Sequence, residues 1–406
     1  MRCLWVTRQI PIPADSGELI YSKGLVESLA RAGADVTVLC HARGERRRSG
    51  DRGPAEGDPR IRVEWVPVAS PLRGRPGSLL SHLPSDAYRL AVPLLRRALQ
   101  EHLDQEKEWD LLVVDHAAMA WALDLFTAYR ARRPNALLAY VSHNCEGRLR
   151  KAVAEGYGGR FAMKCLLRFD AWKYGRMEAR LCREADFITA ITPADGDYYR
   201  SSLPSKEVVD LLPGYSGDRA AAGTIDASVP RRVVMVGSFE WVAKKHNLRG
   251  FLAEAGPLFD GAGIEVQIVG KTDTAFVDEI VRRFPFCRFA ANVRSVTPYL
   301  LSARFGLIVE ELGGGFKLKA LEYVFNKLPV AALDGAVEGM PLEAGREILK
   351  APDLPGLVEK VAEKIDDFAW LNQARDHALE KCARLFDWND RGERLLEAAR
   401  RARTSE

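Results

Sequence analysis

Leu312-Gly-Gly-Gly-Phe-Lys-Leu-Lys-Ala-Leu-Glu-Tyr-Val-Phe-Asn-Lys-Leu-Pro-Val330 is the stretch on which the reading of this chain turns. Leu318, Leu321, Phe325 and Leu328 recur at helical spacing, so an amphipathic helix follows the glycine run. An apolar strand follows the helix. Lys319 and Glu322 are three residues apart and sit side by side on the helix surface. Gly313, Gly314 and Gly315 let a ligand approach backbone N–H groups closely, and a helix N-terminus there favours phosphate. A lysine supplies a point charge for a diphosphate, and a carboxylate accepts from two ribose hydroxyls. The combination suits a nucleoside diphosphate. It also suits an ordinary loop before a helix, with a solvated Lys319–Glu322 pair worth only about 0.3 kcal/mol. The surrounding sequence has to separate the two.

Near the start of the chain, Cys3-Leu-Trp-Val6 reads as a buried strand. A loop with Pro11, Pro13 and Gly17 follows, then a helix from about 19 to 31, Gly33 as its cap, and a strand at 35–40. This is a βαβ unit, but its first loop is not GxGxxG, so a dinucleotide fingerprint is absent. Strand-like runs recur at 61–66, 111–114, 136–141, 187–191 and 208–212, separated by helical stretches. Residues 214–230 read as a linker. A second series then places strands at 232–236, 264–269, 288–290, 306–309 and 330–333. This alternation predicts an α/β chain of two Rossmann-like parallel-sheet domains facing a cleft. The expected division is 1–213, the linker 214–230, 231–380, and a C-terminal helix at 381–406 packing back toward the first domain. Ligands of such sheets sit at the carboxyl ends of the strands. The glycine-rich segment and the 11–17 loop both fall at such ends.

Composition narrows the class. The chain has 406 residues, 47% of them hydrophobic, which allows each half its own core. No apolar run approaches the roughly 18–20 residues of a membrane span. The N-terminal residues lack a signal-peptide pattern, so the expected location is cytoplasmic, with peripheral contact at the inner face of the membrane. The seven cysteines form neither a CxxC pair nor a zinc spacing, which points to free thiols and no structural metal. Arg43, Arg46, Arg47, Arg48 and Arg52 crowd one loop, and Arg130, Arg132 and Arg133 another. Without aromatic interleaving or a known binding signature, no nucleic-acid partner is expected. Loop arginines are ordinarily solvated, and an anionic membrane surface is the sharper alternative. Arg160, Lys164 and Arg168 repeat at helical spacing, with Phe161, Leu167, Trp172 and Met177 between and beyond them. A basic amphipathic helix of this kind can lie on an anionic surface; a helix packed in the domain with a solvated basic side gives the same pattern.

Several segments in order resemble the GT-B glycosyltransferases, and among them the retaining glycosyltransferase family 4. Val236-Gly-Ser-Phe-Glu-Trp241 is similar to the family's first strand–loop–helix of the second domain, and Ile268-Val-Gly270 to its second strand end. Gly313 through Glu322, Leu328-Pro-Val330 and Glu338-Gly339 are similar to its nucleotide-sugar signature. In the first domain, Ser16-Gly17 before a helix, His143-Asn-Cys-Glu146 after a strand, and the run from Ala185 to Thr192 are similar. Phe386-Asp-Trp388 resembles the closing helix. The resemblance implies a UDP- or GDP-sugar donor held mainly by the C-terminal domain. It implies a hydroxyl acceptor (glycan, lipid-linked or small-molecule) held mainly by the N-terminal domain. It further implies retained anomeric configuration and no cofactor or metal.

The resemblance assigns roles residue by residue. Glu322 matches the second glutamate of the family's pair and would bind the ribose hydroxyls, with Lys319 near the diphosphate. Gly313, Gly314 and Gly315 would offer backbone donors. Gly314 stands where the first glutamate is expected, so Glu311, or Glu310 beside it, is the candidate for the donor sugar. Ser238 stands where many relatives carry a phosphate-binding arginine; Lys244 and Lys245, just beyond, are the candidate replacements. His143 is the candidate contact to the transferred sugar, and His116 the runner-up. Gly17 would let the donor approach, and Glu18 and Asp15 would bind acceptor hydroxyls. Two other readings remain open at this level: a sugar-nucleotide epimerase on the same plan, and a non-catalytic nucleotide-sugar-binding protein.

Overall fold

A computed structural model describes residues 1–404, apart from 13, 15, 43–61, 220–222, 241, 310–315, 317 and 338. It divides into two units. The first is Met1–Gly214 with Asp387–Glu406, and the second is Tyr215–Phe386.

The first unit holds a sheet of seven strands among the described residues: β1 Arg2–Gln9, β2 Asp35–His41, β3 Val63–Val68, β4 Leu111–Asp115, β5 Leu137–Val141, β6 Phe187–Ala190 and β7 Glu207–Asp210. Their order is β3-β2-β1-β4-β5-β6-β7, and every pairing is parallel. β4 and β5 are buried along their whole length, because helices cover both faces of a parallel sheet. That is why Leu-Leu-Val-Val and Leu-Leu-Ala-Tyr-Val read as unbroken apolar runs rather than alternating ones. The chain winds outward from β1 in one direction and from β4 in the other. The topological switch point therefore lies between β1 and β4, and the crevice outside their carboxyl ends is where such sheets bind ligands.

Among the described residues the second unit repeats the plan with six strands: β8 Arg232–Ser238, β9 Glu265–Lys271, β10 Cys287–Ala291, β11 Phe305–Ile308, β12 Val330–Leu333 and β13 Leu349–Ala351. The order is β10-β9-β8-β11-β12-β13, again parallel throughout. Its switch point lies between β8 and β11. Ser238 ends β8, and the glycine run follows β11. β13 has no counterpart in the sequence reading. Three residues are too few to show a period, and only pairing with β12 makes them a strand.

The chain leaves the first unit at Gly214 and re-enters it at Asp387. Residues 381–385 finish the Phe368–Leu385 helix of the second unit. The last helix, Arg391–Thr404, packs on the Gly17–Arg31 helix of the first. Ser28 anchors this return. Its hydroxyl donates to the Trp388 carbonyl at 2.5 Å and accepts from the Gly392 N–H at 2.7 Å. A Cβ at Gly24 would overlap the Trp388 indole, so glycine there is what admits the C-terminal segment.

Candidate active site

The candidate cluster of the first unit is built at the carboxyl ends of β1, β4 and β5. Asp115 is the last residue of β4 and is completely buried. It accepts the Trp5 indole N–H at 2.8 Å and the His143 Nε2–H at 2.5 Å. His143 follows β5 and is buried; Tyr21 of the Gly17–Arg31 helix stands edge-on to its ring, with centroids 5.1 Å apart. Burial works against the charged form of both partners, yet the pair interaction prevails. His143 is raised above the ordinary imidazole value by the Asp115 carboxylate, and Asp115 is held below the ordinary carboxylate range by His143 and the Trp5 hydrogen bond. The pairing favours the imidazolium form of His143 over a buried anion. In that form the ring is a positively charged N–H donor, able to hold a sugar hydroxyl or stabilise an oxyanion.

His116 sits beside it, with ring centroids 5.4 Å apart. It has φ +77°, a conformation that side chains with a Cβ rarely adopt. Its Nδ1 accepts the Ala118 N–H at 2.9 Å, which leaves the proton on Nε2, and Nε2 lies 3.4 Å from Glu146 Oε1. Both ring nitrogens are therefore engaged within the protein. Glu146 also receives Arg150 at 3.0 Å, and Arg150 continues to Asp86 at 2.9 Å. Burial pushes the Glu146 carboxyl up, but His116 and Arg150 together bring it well below its ordinary value. Glu178 accepts from Tyr140, Tyr199 and the N–H groups of Glu146 and Gly147. Burial raises the Glu178 carboxyl, and these hydrogen bonds offset it only in part.

Gly17 opens its helix and is exposed, and Glu18 is paired with Arg8 at 2.9 Å. The Glu18 carboxylate and the Arg8 guanidinium both act on His143, in opposite directions, so Glu18 belongs to the same cluster. The sequence reading named His143, His116, Glu18 and Gly17 but missed Asp115. Its signal was present: a carboxylate ending an otherwise apolar strand is costly to bury unless something pairs with it.

A separate candidate cluster lies on the second unit. Lys319 and Glu322 are carried by the Leu318–Phe325 helix, which buries Leu321 and Phe325 as the periodicity requires; Leu328, also buried, lies past its end. Glu322 is half-buried. Burial raises its carboxyl, opposed by a hydrogen bond from the Tyr215 hydroxyl. Asn326 joins this group, with Nδ2 3.2 Å from the Tyr215 hydroxyl, and Tyr215 stacks on Phe325 at 4.4 Å between centroids. Glu322 is thus oriented rather than loose.

Ser238 turns its hydroxyl to Glu240 at 3.1 Å. Lys245 pairs with Asp273, the N-cap of the Thr274–Arg283 helix, and lies over the Phe276 ring at 4.8 Å. Lys244 is exposed. Glu311, Gly313, Gly314 and Gly315 lie outside the described residues, as do Glu310, Asp15, Glu338 and the 43–52 arginine cluster.

Two parallel-sheet Rossmann-like units, each with its candidate residues at a switch point, define the GT-B class, and solved structures agree over the whole chain. Sucrose-phosphate synthase from Thermosynechococcus elongatus superposes with a TM-score of 0.69 at 16% identity, covering 100% of both chains. HepE from Anabaena, solved with UDP and glucose, gives 0.61 at 15% identity over 98% of each chain. The lipopolysaccharide outer core galactosyltransferase WaaB gives 0.59 at 11%, over 98% of this chain and 99% of that one. No curated protein is significantly similar in sequence. Residues 16–214 match the family described as glycosyl transferase 4-like domain. That stretch, most of the first unit, belongs to the family, and over its whole length the chain has the fold of the GT-B glycosyltransferases.

Proposed function

We propose that this enzyme transfers a hexosyl group from a UDP- or GDP-sugar to a hydroxyl acceptor, with retention and without a metal, in the synthesis of a glycoconjugate. The observation that carries the reading is Glu322. A half-buried carboxylate, oriented by Tyr215 and Asn326 on the helix after the glycine run, is suited to a pair of ribose hydroxyls. That HepE was solved with UDP and glucose supports the same donor class here. Lys319 and the start of the Leu318–Phe325 helix supply positive potential to the leaving diphosphate, the task a divalent cation performs elsewhere.

Retention by double displacement would need a free carboxylate nucleophile. In the first unit Asp115 and Glu146 are both committed to buried partners. A front-face reaction, in which the departing phosphate oxygen takes the acceptor proton, requires no such group. His143 then holds the transferred sugar as a charged donor.

The test uses the full chain. UDP- and GDP-sugars are screened by thermal shift, because a ligand of the native state raises its stability with the logarithm of its excess over Kd. Turnover of the stabilising donor is followed next, and the anomeric proton coupling of the product is read by NMR. His143→Ala is expected to cut turnover strongly while donor binding persists. An inverted product refutes retention, turnover lost to EDTA and restored by a divalent cation refutes metal independence, and near wild-type turnover in His143→Ala refutes the role of His143.

A further inference from the structure

The loop after β5 rises into a helical hairpin, Glu146–Gly156 followed by Phe161–Glu184. Among the described residues, the side-chain hydrogen bonds that tie the second helix to the 78–85 segment begin at Asp170. Asp170 accepts the Ser85 N–H at 2.6 Å and the Ser85 hydroxyl at 3.1 Å. The Lys173 ammonium donates to the carbonyls of Ser78 and Ser81 at 2.6 and 2.7 Å. Before Asp170 the helix buries no residue, and Phe161, Met163, Leu166 and Phe169 are all exposed, Phe161 to 81%. Trp172 is 55% exposed, and Leu80, on the turn that Lys173 clasps, is 99% exposed.

Water-facing aromatic and aliphatic side chains gathered on one element mark an interaction surface. Its charge identifies the partner. Between Arg148 and Arg176 the chain carries eight lysines and arginines against two acids, Glu155 and Asp170, and Asp170 is spent on Ser85. A cavity of about 1480 Å³ opens beside the hairpin, with Phe169, Trp172 and Met177 on its apolar wall and Arg73, Lys151 and Arg176 among its basic groups. Apolar surface bordered by fixed positive charge complements lipid chains beneath anionic headgroups. None of the described helices is long and apolar enough to cross a membrane, so the contact would be interfacial.

We infer that the Glu146–Glu184 hairpin is an interfacial arm that inserts Phe161 and its exposed neighbours into an anionic lipid bilayer. The inference stands on the exposure and charge of the arm and does not depend on the donor or stereochemistry proposed above. The full-length chain is sedimented with vesicles of pure phosphatidylcholine and with vesicles containing about a third phosphatidylglycerol. Binding to the anionic vesicles only is expected, weakening as salt shortens the range of the attraction. The double variant Phe161→Ser/Trp172→Ser and the charge reversal Lys164→Glu/Arg168→Glu should each lower partitioning at least tenfold, with an unchanged melting temperature. Cys165 is the one exposed cysteine among the described residues, and an environment-sensitive dye on it should shift to the blue with anionic vesicles.

No pelleting with anionic vesicles, equal pelleting with neutral ones, or full binding by both variants overturns the proposal. So does self-association that the Phe161→Ser/Trp172→Ser change abolishes, which would assign the arm to a second copy of the chain. Donor-sugar hydrolysis by the same variants reports on the catalytic reading separately.

Discussion

Asp115→Asn removes one charge from the centre of the first unit and keeps the side chain's shape. The wild-type carboxylate is fully buried and accepts two hydrogen bonds, from Trp5 at 2.8 Å and His143 at 2.5 Å. Removing one partner of a buried ion pair costs about 3–5 kcal/mol. Asparagine retains one acceptor and the imidazole can shed its proton, so the lower end applies, about 3 kcal/mol. At roughly 2–4 °C per kcal/mol for a unit of this size, the melting temperature should fall by about 6–12 °C.

The loss has a pH signature. His143 is raised in the folded state, so its contribution is complete below the unfolded imidazole value and disappears as pH rises through the folded one. Asp115 is lowered, so its contribution is present above the ordinary carboxylate value and disappears as pH falls through the folded one. The difference between wild type and variant should therefore be largest from about pH 4 to 6.5. It should shrink in alkali toward the hydrogen bond between a neutral imidazole and the carboxylate, about 1.5 kcal/mol. Urea unfolding at several pH values measures it, with His143→Gln and the double variant completing a cycle. Turnover should fall alongside, because the imidazole of the variant no longer holds its charge. A stability difference that is flat with pH, or below about 0.5 kcal/mol, would refute the ion-pair account.

Glu322→Gln should weaken donor binding about tenfold or more, the scale of a charged hydrogen bond, and calorimetry that returns an unchanged Kd would remove Glu322 from the ribose site. Because burial raises the Glu322 carboxyl, donor affinity in the wild type should strengthen as pH rises through that elevated value and deprotonates it. The Glu322→Gln variant should show no such rise, and parallel profiles would place the titrating group elsewhere. Gly24→Ala drives a methyl into the Trp388 indole and should cost about 1–3 kcal/mol. An unchanged urea midpoint would show that the C-terminal segment does not depend on that close approach.

Particular residues show how far a sequence reading reaches. The βαβ unit at the N-terminus, the apolar runs that became β4 and β5, and the Leu318–Phe325 helix were all legible, because a buried parallel strand or an amphipathic helix writes its burial into local order. β13 was not, since its three residues are a strand only because β12 lies alongside. In sequence, Lys244 and Lys245 are equal candidates to supply charge to the diphosphate in place of the arginine. The fold gives Lys245 to Asp273 and leaves Lys244 exposed, a distinction that depends on an N-cap from a different helix.

The sequence by itself determined the two-unit α/β plan and which loops follow the strand ends, because period and punctuation are local properties of the chain. It named His143, His116 and Glu322 as chemically able. Only the tertiary structure decided what state those groups occupy. Asp115 and His143 are far apart in sequence and meet because β4 and β5 are neighbours, and Glu322 is oriented by Tyr215, from the far side of the second unit's sheet in sequence. Charge state and orientation arise from long-range pairing under burial, and no local pattern in the chain encodes them.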